Sequence, residues 1–287
     1  MNSFLSTFLI VFVVTLTVFA QSNYEKAAIT YNQGLEFQQK GDDDKALAAY
    51  DQAILLNPKL VDAYNNRANI KLLRNDPNGA VEDFSKVIEI NPKYPLSYYN
   101  RGTIYVQIGK NDEAITDFTK AISIFEGLTQ DYDKIAHAQS YFGRASALQG
   151  KGLIKESLPD FDKALQILPK SIETLINRGV AKQTLKDYQG AIADYTKAIE
   201  IFPRNAVVFL NRGTALENIN VDSAIADYSK AIELDPKQSQ AFVRRALLYL
   251  KLKKNREALQ DFDKAFLLEP GLKTEYKGFY ADAKKPS

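Results

Sequence analysis

A chain of 287 residues with 45% apolar and 25% charged side chains is apolar enough to fold and too apolar to stay disordered. Its 37 basic and 35 acidic groups leave a formal charge of +2, too weak a field to gather nucleic acid or coat an anionic membrane. The absence of cysteine removes disulfides, thiolate metal sites and cysteine nucleophiles. The single histidine, His137, removes a two-histidine metal site and a histidine triad, so the residue set asks for no metal, no cofactor and no catalysis.

Met1 to Ala20 carries no charged side chain, and Phe4 to Phe19 is an almost unbroken run of Phe, Leu, Ile and Val relieved by Ser and Thr. The run is short for a membrane-spanning helix and ends in Val18-Phe19-Ala20, with small residues where a signal peptidase needs them, so residues 1–20 read as a signal cleaved after Ala20. No Lys or Arg precedes the apolar stretch, which keeps an uncleaved anchor as the alternative. On either reading the chain is expected to be exported, periplasmic or secreted, with membrane contact only through residues 4–19 if they are retained.

After a lead-in at 21–26, a unit of about 34 residues recurs at 27–60, 61–94, 95–128, 138–171, 172–205, 206–238 and 239–272. Residues 129–137 are an insertion, and the sixth unit is one residue short in its inner turn, around Asn218 to Asp222. A small residue holds the eighth place: Gly34, Ala68, Gly102, Ala145, Gly179, Gly213 and Ala246. Further along, an aromatic (Tyr50, Phe84, Phe118, Phe161, Tyr195, Tyr228, Phe262) sits between two small residues at spacings of four and three, which puts all three on one helical stripe. Prolines at 58, 92, 169, 203, 236 and 270 stop each second helix except the third, where Glu126 and Gly127 let the helix run on. Inner turns carry Gly41, Gly109, Gly152, Asn75 and Asn220, and Asp42 to Asp44 suits a helix N-terminus.

This pattern resembles the tetratricopeptide repeat family over about 27–272. The resemblance implies an all-α, right-handed superhelical solenoid of seven helix-turn-helix units, closed by a short capping helix within 273–287. Tyr276, Phe279 and Tyr280 are the stripe expected to cover the open end, and Ala281 to Ser287 is expected to fray. The family's usual leucine at the seventh place is here arginine in six units. Arg67, Arg101, Arg144, Arg178, Arg212 and Arg245 share their units with Asp83, Asp117, Asp160, Asp194, Asp227 and Asp261. The first unit has Gln33 and Ala49 instead, so both partners vanish together, which predicts a structural Arg–Asp pair bridging the two helices of each unit.

The first helices of such a stack line a concave wall. Their sixth place reads Asn32, Asn66, Asn100, Gly143, Asn177, Asn211 and Arg244, and asparagine is a poor helix former that asks for a reason. Similar asparagine ladders in some superhelical members of the family hold the backbone of an extended peptide, and that implication extends to the five asparagines here. The other reading has them capping or bridging neighbouring helices. Tyr31, Tyr99 and Phe142 flank them in the fifth place, while Gly143 interrupts the ladder beside the insertion. Chaperone-binding members grip a terminal carboxylate, but only Asn211 and Arg244 fit that pattern, with Ile176, Val180 and Gln240 at the remaining positions. The reading is a non-catalytic scaffold for a protein or extended peptide partner, with a membrane-tethered assembly factor as the alternative.

Overall fold

The computed structural model describes residues 22–128 and 133–285, and all regular structure in them is helical. The expected signal, the first part (129–132) of the expected insertion and the last two residues lie outside the described residues. The chain divides into two compact units, Met1–Ala147 and Leu148–Ser287. The first holds α1 (22–39), α2 (Asp43–Leu56), α3 (Val61–Leu73), α4 (Pro77–Ile90), α5 (Pro95–Gln107), α6 (Asn111–Glu126) and most of α7 (Lys134–Gly150). The second holds α8 (Ile154–Ile167), α9 (Ile172–Thr184), α10 (Tyr188–Ile201), α11 (Ala206–Leu216), α12 (Val221–Leu234), α13 (Ser239–Lys251), α14 (Asn255–Leu268), α15 (Leu272–Glu275) and α16 (Lys277–Ala283).

Several helices start behind short polar caps. Asp42, Asp76, Asp187 and Asn220 each accept a hydrogen bond from the backbone N–H three residues on, which occupies one of the donors left open at a helix start. Asn220 therefore serves as a cap with φ −150°, and does not take the turn role expected of it. The left-handed turn residue of the other repeats is Gly41, Asn75, Gly109, Gly152, Lys186 or Lys253, and the deletion in the sixth repeat removes that position. Lysine has no conformational reason to be there, so Lys186 and Lys253 carry a strain of about 1 kcal/mol each. At the other end, Asn57 and Asn91 side chains accept from the N–H of Lys59 and Lys93 across the intervening proline. Where the third repeat lacks proline, α6 reaches 16 residues against 14 for α4, ending at Glu126 with Gly127 as its C-cap.

Helix pairs close around the aromatic column. Tyr50, Phe84, Phe118, Phe161, Tyr195, Tyr228 and Phe262 are all fully buried. A Cβ built on Gly34 would lie 2.5 Å from the Tyr50 ring, and one on Gly179 2.6 Å from that of Tyr195, so these rings press directly on helix backbone. The three tyrosines of the column share a further feature: each repeat with a buried phenol also supplies an acceptor at the C-terminal end of its first helix. Tyr50 donates to Gln38 at 2.7 Å, Tyr195 to Gln183 at 3.4 Å and Tyr228 to Glu217. Repeats with Phe84 and Phe262 have Leu72 and Leu250 at that place, where no hydroxyl needs a partner.

The arginines of the seventh place are forks with two arms. Arg67 donates from Nε to Asp83 at 2.9 Å and from its outer nitrogen to the same carboxylate at 2.5 Å. Arg101, Arg178, Arg212 and Arg245 hold Asp117, Asp194, Asp227 and Asp261 in the same bidentate way. Arg144 lies in the first unit and Asp160 in the second. The remaining arm reaches back to the preceding repeat, which the sequence reading did not foresee. Arg67 meets Asp51, Arg101 meets Ser85, Arg144 meets Thr119, Arg178 meets Asp162, Arg212 meets Thr196 and Arg245 meets Ser229, at 2.6–3.1 Å. Burial works to lower the Arg67 pKa, but the bonds to Asp83 and Asp51 outweigh it and the net shift is upward.

The last repeat has an acceptor, Asp263, but no following arginine. Tyr280 of α16 takes that role, donating to Asp263 at 2.7 Å while its ring meets Phe262 edge-on. Tyr276 also packs on Phe262. Phe279 departs from the expected cap stripe: its ring is 50% exposed, because Tyr276 and Tyr280 already cover the end. The chain also stays helical to Ala283, beyond the expected start of fraying, since Ala283 is buried and Asn255 donates to the Lys285 carbonyl.

Two tests follow from these contacts. Asp117 has Arg101 as its cation, whereas Asp194 has both Arg178 and Lys182, the latter at 2.8 Å. Arg101→Ala should cost about 3–5 kcal/mol by stranding a buried carboxylate, and Arg178→Ala about 1–3 kcal/mol; urea melts of the two variants would show the order. Burial, aided at Tyr228 by Glu217, raises the pKa of Tyr195 and Tyr228. Above about pH 10 the unfolded chain releases protons that the folded chain keeps, so stability falls as pH rises. Melting temperature should drop as pH rises past about 10, and less steeply in a Tyr195→Phe/Tyr228→Phe chain.

Candidate functional site

The asparagines of the sixth place do not form a uniform row. Asn32 is exposed. Asn66 is half-buried and donates to the Tyr31 hydroxyl at 3.0 Å, linking α3 to α1. Burial, then the nearby Asp62 carboxylate, raises the Tyr31 pKa against the opposing effect of that bond. Asn177 donates to the Glu173 carbonyl one turn back in its own helix, at 2.9 Å. Asn100 and Asn211 are half-buried and make no side-chain hydrogen bond among the described residues, so their amides are the ones left for another molecule. Arg244 donates to Glu217 at 3.3 Å, and that same carboxylate receives the Tyr228 hydroxyl.

The fifth-place rings serve packing first. Tyr31 lies 5.8 Å from Tyr50 and Tyr99 lies 6.2 Å from Phe118, both tilted, and Phe142 is half-buried on α7. The gap in the ladder has a steric cause. A Cβ on Gly143 would stand 2.4 Å from the Phe118 ring, which fills the place where an asparagine side chain would start. Sequence reasoning passed over Asn65, a polar residue in an otherwise apolar column, whose Oδ1 is buried and accepts nothing. Among the described residues no group of three or more His, Asp or Glu side chains is placed to hold a metal ion, and no helix is long and apolar enough to cross a membrane.

A tetratricopeptide repeat profile matches residues 61–94, 95–127 and 172–205, and two further profiles of the same repeat match 34–73 and 227–260. The chain belongs to the tetratricopeptide repeat family. Human tetratricopeptide repeat protein 36 is 39% identical over 64 residues, which is 22% of this chain and 34% of that protein, so the match spans about a third of the relative. Among solved structures, the C-terminal part of a TPR repeat-containing protein from Cytophaga hutchinsonii has TM-score 0.71 at 16% identity, covering 89% of this chain and all of that one. A tetratricopeptide repeat protein from Parabacteroides merdae has TM-score 0.61 at 17% identity, covering 91% and 100%. YrrB, a TPR protein with an unusual peptide-binding site, has TM-score 0.57 at 22% identity, covering 69% and 98%. At these identities the likeness is one of fold. An all-α TPR solenoid is a scaffold for protein–protein interaction, and the fold is typically non-catalytic.

Because the Phe118 ring occupies the site, restoring the ladder by Gly143→Asn should destabilise the chain by about 1–3 kcal/mol, measured by thermal melting. Trimming the ring as well, in Gly143→Asn/Phe118→Leu, should return less than the sum of the two single losses.

Proposed function

We propose that this chain is an exported, non-catalytic scaffold that holds a protein or extended peptide along the concave face of its first helices. The observation that carries the reading is the pair Asn100 and Asn211, half-buried amides with no hydrogen bond among the described residues, one in each compact unit. An amide both donates and accepts, which suits the backbone of an extended segment whatever its side chains. Asn66 and Asn177 are committed within the fold and play a smaller part, Asn32 stays accessible, and Arg244 is tied to Glu217. YrrB, a fold relative described as having a peptide-binding site, is compatible with this use of the scaffold. Export rests on the charge-free, apolar segment at 4–19 and the small residues before Gln21.

A second reading, a tethered scaffold organising an envelope complex, is favoured by one observation: no Lys or Arg precedes that apolar segment. Intact mass of the native protein separates the two, since a mature chain beginning at Gln21 rejects the tether and a full-length chain rejects the signal. For the binding face, crosslinking capture from the native cell should fall about tenfold in Asn100→Ala/Asn211→Ala with the melting temperature unchanged. Capture equal to the unaltered chain overturns the assignment. Asn66→Ala is the counterpart, expected to lose stability through Tyr31.

A further inference from the structure

The C-terminal end of the second unit contains a cleft of about 680 Å³, open to solvent, between the end of α11, α13, the start of α14 and α16. Its apolar lining includes Leu247 and Leu250, which also pack against the Phe262 cluster, and Phe279, the ring that the cap leaves half exposed. A volume of this size takes a bulky apolar side chain together with the peptide on either side of it. The Phe279 ring lies 6.3 Å from that of Tyr276 and stays half exposed at the cleft, so an apolar side chain seated there would bury it further.

The charges on the cleft decide what kind. Two carboxylates line it, and each is already matched: Glu217 takes Arg244 at 3.3 Å and the Tyr228 hydroxyl, and Asp282 takes Lys285 at 2.6 Å. Lys251, in the last turn of α13, also lines the cleft and has no ion-pair partner among the described residues. The cleft thus presents apolar surface beside one uncompensated positive charge.

We propose that this cleft is the anchoring subsite for the peptide carried on the first-helix face, and that it takes an internal apolar residue followed by an acidic one. The apolar side chain seats on Leu247, Leu250 and Phe279, and the carboxylate faces Lys251. The proposal rests on the peptide-scaffold reading above, and it adds sequence preference to a face whose asparagines read backbone alone. Lys251 sits at the rim, where a charge acts on specificity more than on total affinity.

The probe is an acetylated, amidated Gly-Ser decapeptide with a central Phe-Glu pair, titrated into the full chain by fluorescence anisotropy at low salt. Controls carry Phe-Lys, Ala-Glu, or a terminal Phe with a free carboxylate. Phe-Glu should bind at least about tenfold more tightly than each control. Lys251→Glu should reverse the order of Phe-Glu and Phe-Lys, and Phe279→Ser should weaken Phe-Glu binding about tenfold, with helicity by circular dichroism unchanged in both. Equal binding of Phe-Glu and Phe-Lys, a preference for the terminal carboxylate, or no binding in the millimolar range overturns the subsite. If partner capture still depends on Asn100 and Asn211 while the probe ranking ignores Lys251, the subsite fails and the groove stands. If capture ignores the asparagines, the groove fails, whatever the probe does.

Discussion

The arginine fork is the contact on which the repeat stack depends. A guanidinium has five donors in a plane, so one side chain can clamp the carboxylate of its own repeat with two bonds and still give a third to the repeat before it. That turns a pair within a repeat into a joint between repeats. The acceptors on the far side vary among Asp, Ser and Thr, which share only a lone pair in the right place. Ser85 and Ser229 spend their own protons on carbonyls one turn back, leaving oxygen free for the arginine. Around this joint the small and aromatic residues are buried as core, and the fork supplies direction.

Much of this was open to reading in the sequence because repetition makes each column its own control. The paired loss of arginine and aspartate in the first repeat pointed to a contact between them. The backward arm was equally recorded, in a column reading Asp51, Ser85, Thr119, Asp162, Thr196 and Ser229, but its members share hydrogen-bonding capacity and not charge, so a search for ion pairs passes it by. Each of Tyr50, Tyr195 and Tyr228 has Gln38, Gln183 or Glu217 as its acceptor, which offsets the cost of burying a hydroxyl without a partner, although Gln149 stands at the same place in the Phe161 repeat.

The binding face was less legible. Column identity shows that an asparagine recurs, but whether its amide is spent on the fold depends on what lies within 3 Å, and that differs from repeat to repeat. Asn66 finds Tyr31 because the preceding first helix carries a hydroxyl there, and Asn177 turns onto its own helix. The interruption at Gly143 likewise looked like a property of the insertion, and is instead a property of the Phe118 ring. The cleft at the end of the second unit was invisible in the repeat pattern, since Phe279 lies outside any repeat.

The exchange of Tyr280 for an arginine at the last joint has a consequence for how such an array ends. A stack whose final acceptor stands open, above an exposed aromatic, is a template on which another chain's helices could dock and growth could continue. Here the hydroxyl of Tyr280 consumes the acceptor, Asp263, and its ring covers Phe262. The first repeat carries Gln33 where the other six carry the fork arginine, so it has no backward arm to give. Among the described repeats, Tyr280 thus occupies the last backward acceptor and Gln33 supplies no arm at the first, so neither offers this joint to another helix pair.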